Sequence, residues 1–251
     1  MKLLLTSNGL TNDTIRAGFV DLTGKPIEDT SVVYIPTAMH GLPEGGRYLG
    51  DSLTALIREK WRRVAILELA ALPDLPKHYW LPIFEDADVI MVEGGNTPFL
   101  SYWFQKSGFA AMLPSLLEDR VYLGVSAGSI VVSDQLVVNK VRLRDTGVYA
   151  DEQYGDVAPL GLGSDFTLRL VPVVIRPHLN AEYFERVSLA DMKVATTEIR
   201  APIYVIDDAS ALKVIDGRIE VISEGIWEMI HNATTMPLSF ETADDDGEDV
   251  C

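Results

Sequence analysis

The sequence predicts an α/β protein with a mostly parallel sheet, helices on both faces and a hairpin at its C-terminal end. Three observations predict it. Short continuous apolar runs alternate with helix-compatible stretches, the pattern of strands joined by helical crossovers. Two of these runs stop at glycine-containing turns that open helices, Gly94-Gly95-Asn96-Thr97 and Gly124-Val125-Ser126-Ala127-Gly128. Near the end, Asp216-Gly217 separates two apolar runs, 211–215 and 218–222, and Asp-Gly is a strong two-residue hairpin signal.

The elements follow in order. Residues 3–6 form a short apolar run ending in Ser7-Asn8-Gly9. Residues 31–36 (Ser-Val-Val-Tyr-Ile-Pro) read as a buried strand, continuous, β-branched and stopped by proline. Residues 51–60 carry Leu53, Ala55, Leu56 and Ile57, which suits a helix, and 64–67 read as the next strand. Residues 87–92 form another, followed by a helix over 98–106 with Thr97 as cap and Pro98 at the first helical position. Residues 121–125 are a further strand and 127–132 a helix. Residues 166–175 read as strand-like up to Arg176-Pro177-His178, and 203–206 as a buried run ending in Asp207-Asp208. With no repeat and no linker, residues 1–240 read as one domain.

Of 251 residues, 47% are hydrophobic and 23% charged, ordinary for a globular chain with a sizeable core. The single cysteine, Cys251, excludes a disulfide framework within the chain and a cysteine-rich metal site. The N-terminal apolar run is too short for a signal-peptide core, and no segment approaches the ~18 apolar residues of a membrane span. A cytoplasmic protein without membrane partners is expected. The formal charge is −16. Six acids lie in residues 241–251, which read as a solvated, disordered acidic tail, and the body still carries −10. Such a body repels phosphate backbones, so nucleic acid is not an expected partner.

Chemistry concentrates at a few positions. Gly124-Val125-Ser126-Ala127-Gly128 fits the G-x-S-x-G turn, which lifts a serine hydroxyl above a sheet between strand and helix. Glycines flank the serine because side chains there would crowd the turn. A nucleophilic serine needs a base, and there are four histidines: His40, His78, His178 and His231. His40 and His78 sit in proline-containing loops and read as surface residues. His178 follows a strand-like run through Pro177, placing it at a strand end where site residues collect. Asp208 is the favoured third group to orient the imidazole, with Asp207, Asp145 and Asp134 as the other aspartates considered. After the preceding strand, Gly94, Gly95 and Asn96 allow close backbone approach to a ligand. Their N–H groups pair with that of Ala127 as a candidate oxyanion site.

These three blocks, Gly94-Gly95-Asn96-Thr97, Gly124 to Ser129, and Pro177-His178-Leu179-Asn180, resemble peptidase family S51, which includes peptidase E and cyanophycinase. Their order and spacing match over about residues 1–225. The resemblance implies a flavodoxin-like sheet of the class I glutamine amidotransferase-like kind. It implies Ser126 as nucleophile, His178 as base and the Gly95 and Ala127 N–H groups as oxyanion donors. The segment Ile206 to Leu212 is similar to one that carries an acid in cyanophycinase-like members, which matches Asp208. Peptidase E has been read with an acid between serine and histidine, where Asp145 is the nearest candidate. Peptidase E selects N-terminal aspartate with an arginine downstream of the histidine. Arg186 stands at a different spacing, so that preference is not carried over.

The expected function is therefore a serine peptidase acting on small peptides, with no metal or organic cofactor. One alternative is an α/β-hydrolase esterase using Ser126, Asp208 and His231 in that chain order. Another is a non-catalytic ligand-binding protein on the same fold. Trp80, Tyr102 and Trp103 fit either a homodimer surface or the core.

Overall fold

The computed structural model describes residues 1–137, 148–151, 155–159, 163–184 and 187–232. The acidic tail lies outside these residues. The elements run β1 (Lys2–Thr6), α1 (Asp13–Thr23), β2 (Ser31–Ile35), α2 (Gly45–Arg58), β3 (Arg63–Ile66), α3 (Lys77–Trp80), β4 (Val89–Val92), α4 (Thr97–Lys106), α5 (Phe109–Leu116), β5 (Val121–Val125) and α6 (Ala127–Ile130). They continue with β6 (Val148–Asp151), β7 (Gly155–Pro159), β8 (Val174–Arg176), α7 (Leu189–Ala195), β9 (Ile203–Ile206), β10 (Ser210–Ile215), β11 (Arg218–Ser223) and β12 (Trp227–Ile230). Among the described residues no helix is long and apolar enough to cross a membrane.

Seven strands form the main sheet in the order β11-β10-β1-β5-β4-β2-β3. The five from β1 to β5 are mutually parallel, and β10 and β11 add an antiparallel edge. β2 and β5 are buried along their whole length, as continuous apolar strands covered on both faces should be. Alternate residues serve opposite layers. Leu3 and Leu5 pack with Val33, Ile90 and Tyr122 against Leu100, Phe104 and Phe109 of α4 and α5. Leu4, Val32, Val89 and Leu123 pack against Ile15, Phe19 and Leu22 of α1. Each fully buried side chain of this kind contributes about 1.5–3 kcal/mol. Trp80 belongs to this core, edge-on to Phe84, and Trp103 packs against it.

The hairpin forms as the sequence predicts. Asp216 and Gly217 both take positive φ, 48° and 81°, the requirement of a type I′ turn whose twist matches its strands. The edge strand β3 differs from expectation. It pairs only with β2, and Val64 and Ile66 are exposed, so its apolar character does not signal burial.

A second sheet, in the order β12-β9-β8, carries its own apolar cluster around Val174, Val205, Leu179 and Met192. The strand-like reading of residues 166–175 is corrected here: only Val174–Arg176 joins a sheet. Leu168 and Leu170 instead donate their N–H groups to the carbonyls of Val131 and Val132, just past α6. The backbone is satisfied there without a ladder. Between β9 and β10 the chain passes from the small sheet to the large one, and Asp207 and Asp208 lie in that passage.

Candidate active site

The C-terminal ends of β1, β4 and β5 lie side by side, and the site grows from them. Ser126 follows β5 with φ 48° and ψ −108°. Its N–H donates to the Thr6 carbonyl on β1 at 3.0 Å, and its own carbonyl accepts from Ser129 and Ile130 at 2.8 and 2.9 Å. Glycine is required around it. A Cβ on Gly128 would lie 2.0 Å from the Val92 carbonyl oxygen, and one on Gly124 would lie 2.9 Å from the Gly128 backbone. Both are far inside contact distance. The turn can therefore press its helix onto β4 only with glycine at both flanks.

His178 follows β8, also at positive φ, 64°. The next N–H, of Leu179, donates to the Ile206 carbonyl at the end of β9 at 3.0 Å. Phe184 packs on the ring at 4.9 Å between centroids. The imidazole is buried, with Nε2 2.8 Å from Ser126 Oγ and Nδ1 2.7 Å from Asp208 Oδ1. An ionised carboxylate only accepts. Nδ1 therefore carries the proton and donates to Asp208, and Nε2 accepts from the Ser126 hydroxyl.

Two hydroxyls that sequence reasoning missed complete this cluster. Ser7, just past β1, donates to Asp208 Oδ1 at 2.6 Å and accepts the His178 backbone N–H at 2.9 Å. Tyr183 donates to Asp208 Oδ2 and lies 2.9 Å from His178 Nδ1. Burial alone would push the Asp208 carboxyl up. The hydrogen bond and charge of His178, with the Ser7 and Tyr183 hydroxyls, outweigh it and hold the pKa at about 2. Thr11 and Asn12, at the start of α1, donate to the carbonyls of Asp208 and Ala209 at 2.8 and 2.9 Å, fixing the loop. Asp207 faces the other way and accepts from Ala209, Ser210 and Ile226.

The glycine turn after β4 divides its N–H groups. That of Gly94 donates to Glu93 Oε1 at 2.8 Å, and that of Asn96 to the Ala38 carbonyl at 2.9 Å. Gly95 has φ 131°, and a Cβ there would meet Ala38 at 2.5 Å. Among the described residues the Gly95 and Ala127 N–H groups have no acceptor. The Asn96 side chain caps α4, accepting from Phe99 N at 2.9 Å and donating to Gly41 O at 3.1 Å. The cap is thus Asn96 rather than Thr97, which opens the helix. Its carboxamide reaches the N3 amide in the manner favoured for asparagine caps.

A cleft of ≈ 940 Å³ opens over Ser126 and His178, walled by Tyr183, Phe184, the glycine turn and the first half of α2. Glu93 lies buried in its wall. That residue was also missed, although a charge closing an apolar strand beside Gly94-Gly95 is a visible signal. His40 sits at the rim, its Nε2 3.0 Å from Glu68 Oε2. His78 lies at the surface, its ring tilted against that of Tyr79. His231, past β12, is exposed and makes no hydrogen bond to Ser126. Asp134 follows α6, its N–H on the Val173 carbonyl. Asp145 and Arg186 lie outside the described residues. Among those residues, no cluster of His, Cys, Asp and Glu is able to hold a metal ion.

Fold and cleft together define an α/β protein with a serine, a histidine and an aspartate in line at strand ends. The chain belongs to peptidase family S51, whose family model matches residues 3–222. That membership supports a peptidase activity. Among solved structures it is similar to a candidate peptidase E protein of Listeria monocytogenes EGD-e, at 20% identity and a TM-score of 0.58, covering 89% of this chain and 98% of that one. It is also similar to a peptidase from an acI-B1 actinobacterium, at 17% identity and a TM-score of 0.62, covering 93% and 91%. Both likenesses concern the fold. A comparison with curated proteins found no match.

Proposed function

We propose that this chain is a serine-type peptidase that hydrolyses small peptides through an acyl-enzyme on Ser126. The observation that carries the reading is the continuous hydrogen-bonded line from Ser126 Oγ to His178 Nε2 (2.8 Å) and from His178 Nδ1 to Asp208 Oδ1 (2.7 Å). Each role follows from it. His178 Nε2 takes the Ser126 proton as Oγ bonds to the substrate carbonyl carbon. The tetrahedral oxyanion is met by the Gly95 and Ala127 N–H groups. Removing one such donor typically costs ~10²–10³ in rate. His178 then gives its proton to the leaving amine as the C–N bond breaks. A water, deprotonated by the same nitrogen, attacks the acyl carbon; the bond to Oγ breaks, Oγ takes that proton back from Nε2, and the acid leaves. Asp208 stays ionised throughout, holding the imidazole in the tautomer that accepts at Nε2. No step calls on a cofactor.

A fluorophosphonate probe tests this. It is expected to label the wild type and not Ser126→Ala, and labelling that persists in the variant overturns the assignment. On a chromogenic ester, His178→Ala is expected to lose activity and His231→Ala to keep it. The reverse result points to the esterase arrangement. A wild type that no ester, amide or probe ever modifies is a binding protein instead.

A further inference from the structure

We infer that the cleft accepts a substrate whose acyl-side residue carries a cationic side chain, paired with Glu93. The inference rests on the peptidase reading of the same site and adds its substrate class.

The cleft's charge is one-sided. Its lining includes three carboxylates, Glu44, Asp51 and Glu93, and no lysine or arginine among the described residues. Its two histidines are already engaged, His40 with Glu68 and His178 with Asp208. Low-dielectric walls focus such a field and draw in the opposite charge.

Glu93 makes the argument specific. It is only 5% exposed, yet all its hydrogen-bond partners in the structure are neutral: the Tyr34 hydroxyl at 3.0 Å, the Gly94 N–H at 2.8 Å and the Ser52 hydroxyl. Among the described residues no cation pairs with it. A buried carboxylate without a counter-ion either holds a proton or awaits a positive partner. Burial does push this carboxyl above its ordinary range, against the pull of the three donors. Burial and the neighbouring Glu93 likewise push the Tyr34 phenol up, so it remains a donor.

The geometry puts the missing charge within reach of the chemistry. Glu93 immediately precedes the Gly94-Gly95 turn, and a Cβ on Gly94 would stand 3.1 Å from Ser126 Cβ. An ammonium or guanidinium at the end of a flexible side chain enters a cleft whose lining includes Glu93, Asp51 and Glu44. A carboxylate side chain in the same cleft meets acidic groups and, among the described residues, no lysine or arginine. This site therefore does not fit an N-terminal aspartate.

The experiment compares dipeptides that share a C-terminal residue and differ first in arginine, citrulline or aspartate. Arginine and citrulline have nearly the same shape and both keep the α-ammonium, so their ratio reads the side-chain charge alone. Released amino acids are measured for wild type, Glu93→Gln and the more exposed Asp51→Asn. Wild type is expected to favour arginine over citrulline by about 10–100-fold in kcat/KM, the size expected when a buried charge pair is completed. Glu93→Gln is expected to bring that ratio near one, and Asp51→Asn to lower it about two- to fivefold. A wild-type ratio near one overturns the inference, as does a ratio that survives both substitutions. If fluorophosphonate labels Ser126 while arginine dipeptides are untouched, the substrate class fails and the nucleophile stands. If nothing labels Ser126, the peptidase reading fails first.

Discussion

The hydroxyl of Ser7 lies 2.6 Å from Asp208 Oδ1, joining the end of the first strand to the loop that leaves the small sheet. The same oxygen accepts the His178 N–H. Ser7 thus aligns base and acid from the side of the main sheet. Ser7→Ala leaves a buried N–H without its acceptor, at a cost of about 1–3 kcal/mol. We expect a lower melting temperature together with a kcat reduced about 10-fold. Thermal denaturation and ester hydrolysis check both, and a variant unchanged in each removes Ser7 from this role.

Asp208→Asn should reduce kcat on the order of 10³–10⁴-fold, because a carboxamide no longer selects the Nδ1–H tautomer. Its effect on stability depends on pH. The folded pKa of about 2 lies below the ordinary 3.8. The ionised group therefore stabilises the fold above about pH 4, and that contribution is lost as pH falls through 2. The stability gap between wild type and Asp208→Asn should be constant near neutrality and close between about pH 4 and 2. A gap that widens in acid contradicts the pairing.

Ser126 holds φ 48° with ψ −108°, a conformation that costs a non-glycine residue about 1–3 kcal/mol. Ser126→Gly should abolish turnover yet raise stability by about 1 kcal/mol, the relief less the extra entropy of an unfolded glycine. Ser126→Ala, which keeps the Cβ, should not show the gain. Denaturant titration of the two variants separates them.

Asn96→Ala tests a cap against an oxyanion donor. Loss of the cap should cost about 1 kcal/mol. kcat should fall far less than the ~10²–10³ of a lost oxyanion donor, because the carboxamide already serves Phe99 and Gly41. A kcat loss of that larger size with unchanged stability reverses the assignment.

Much of this was legible because it is local. Asp216-Gly217 announces its turn by residue type alone, and Gly124 to Gly128 declares a crowded strand-to-helix corner. His178 and Asp208 each end an apolar run, so strand-end reasoning brings both forward, and the structure sets them 2.7 Å apart. What stayed hidden is long-range or competitive. Ser7 and Tyr183 are single hydroxyls whose partners lie 201 and 25 positions away, and nothing in their neighbours marks them. Asn96 and Thr97 are both good caps, and only backbone geometry decides between them. Residues 166–173 have strand composition, but the turn after α6 offers their N–H groups carbonyls before any ladder does.

The nucleophile hangs from the seven-stranded sheet, whereas the imidazole hangs from the three-stranded one, which has its own apolar cluster. Turnover consequently reports how well the small sheet, whose Ile175 and Ile206 reach into the main core, is seated on the large one. In a denaturant series, activity should vanish at a lower concentration than the far-ultraviolet circular dichroism of the larger sheet. Substitutions at Met192 or Val205, remote from any substrate, should move the first midpoint more than the second.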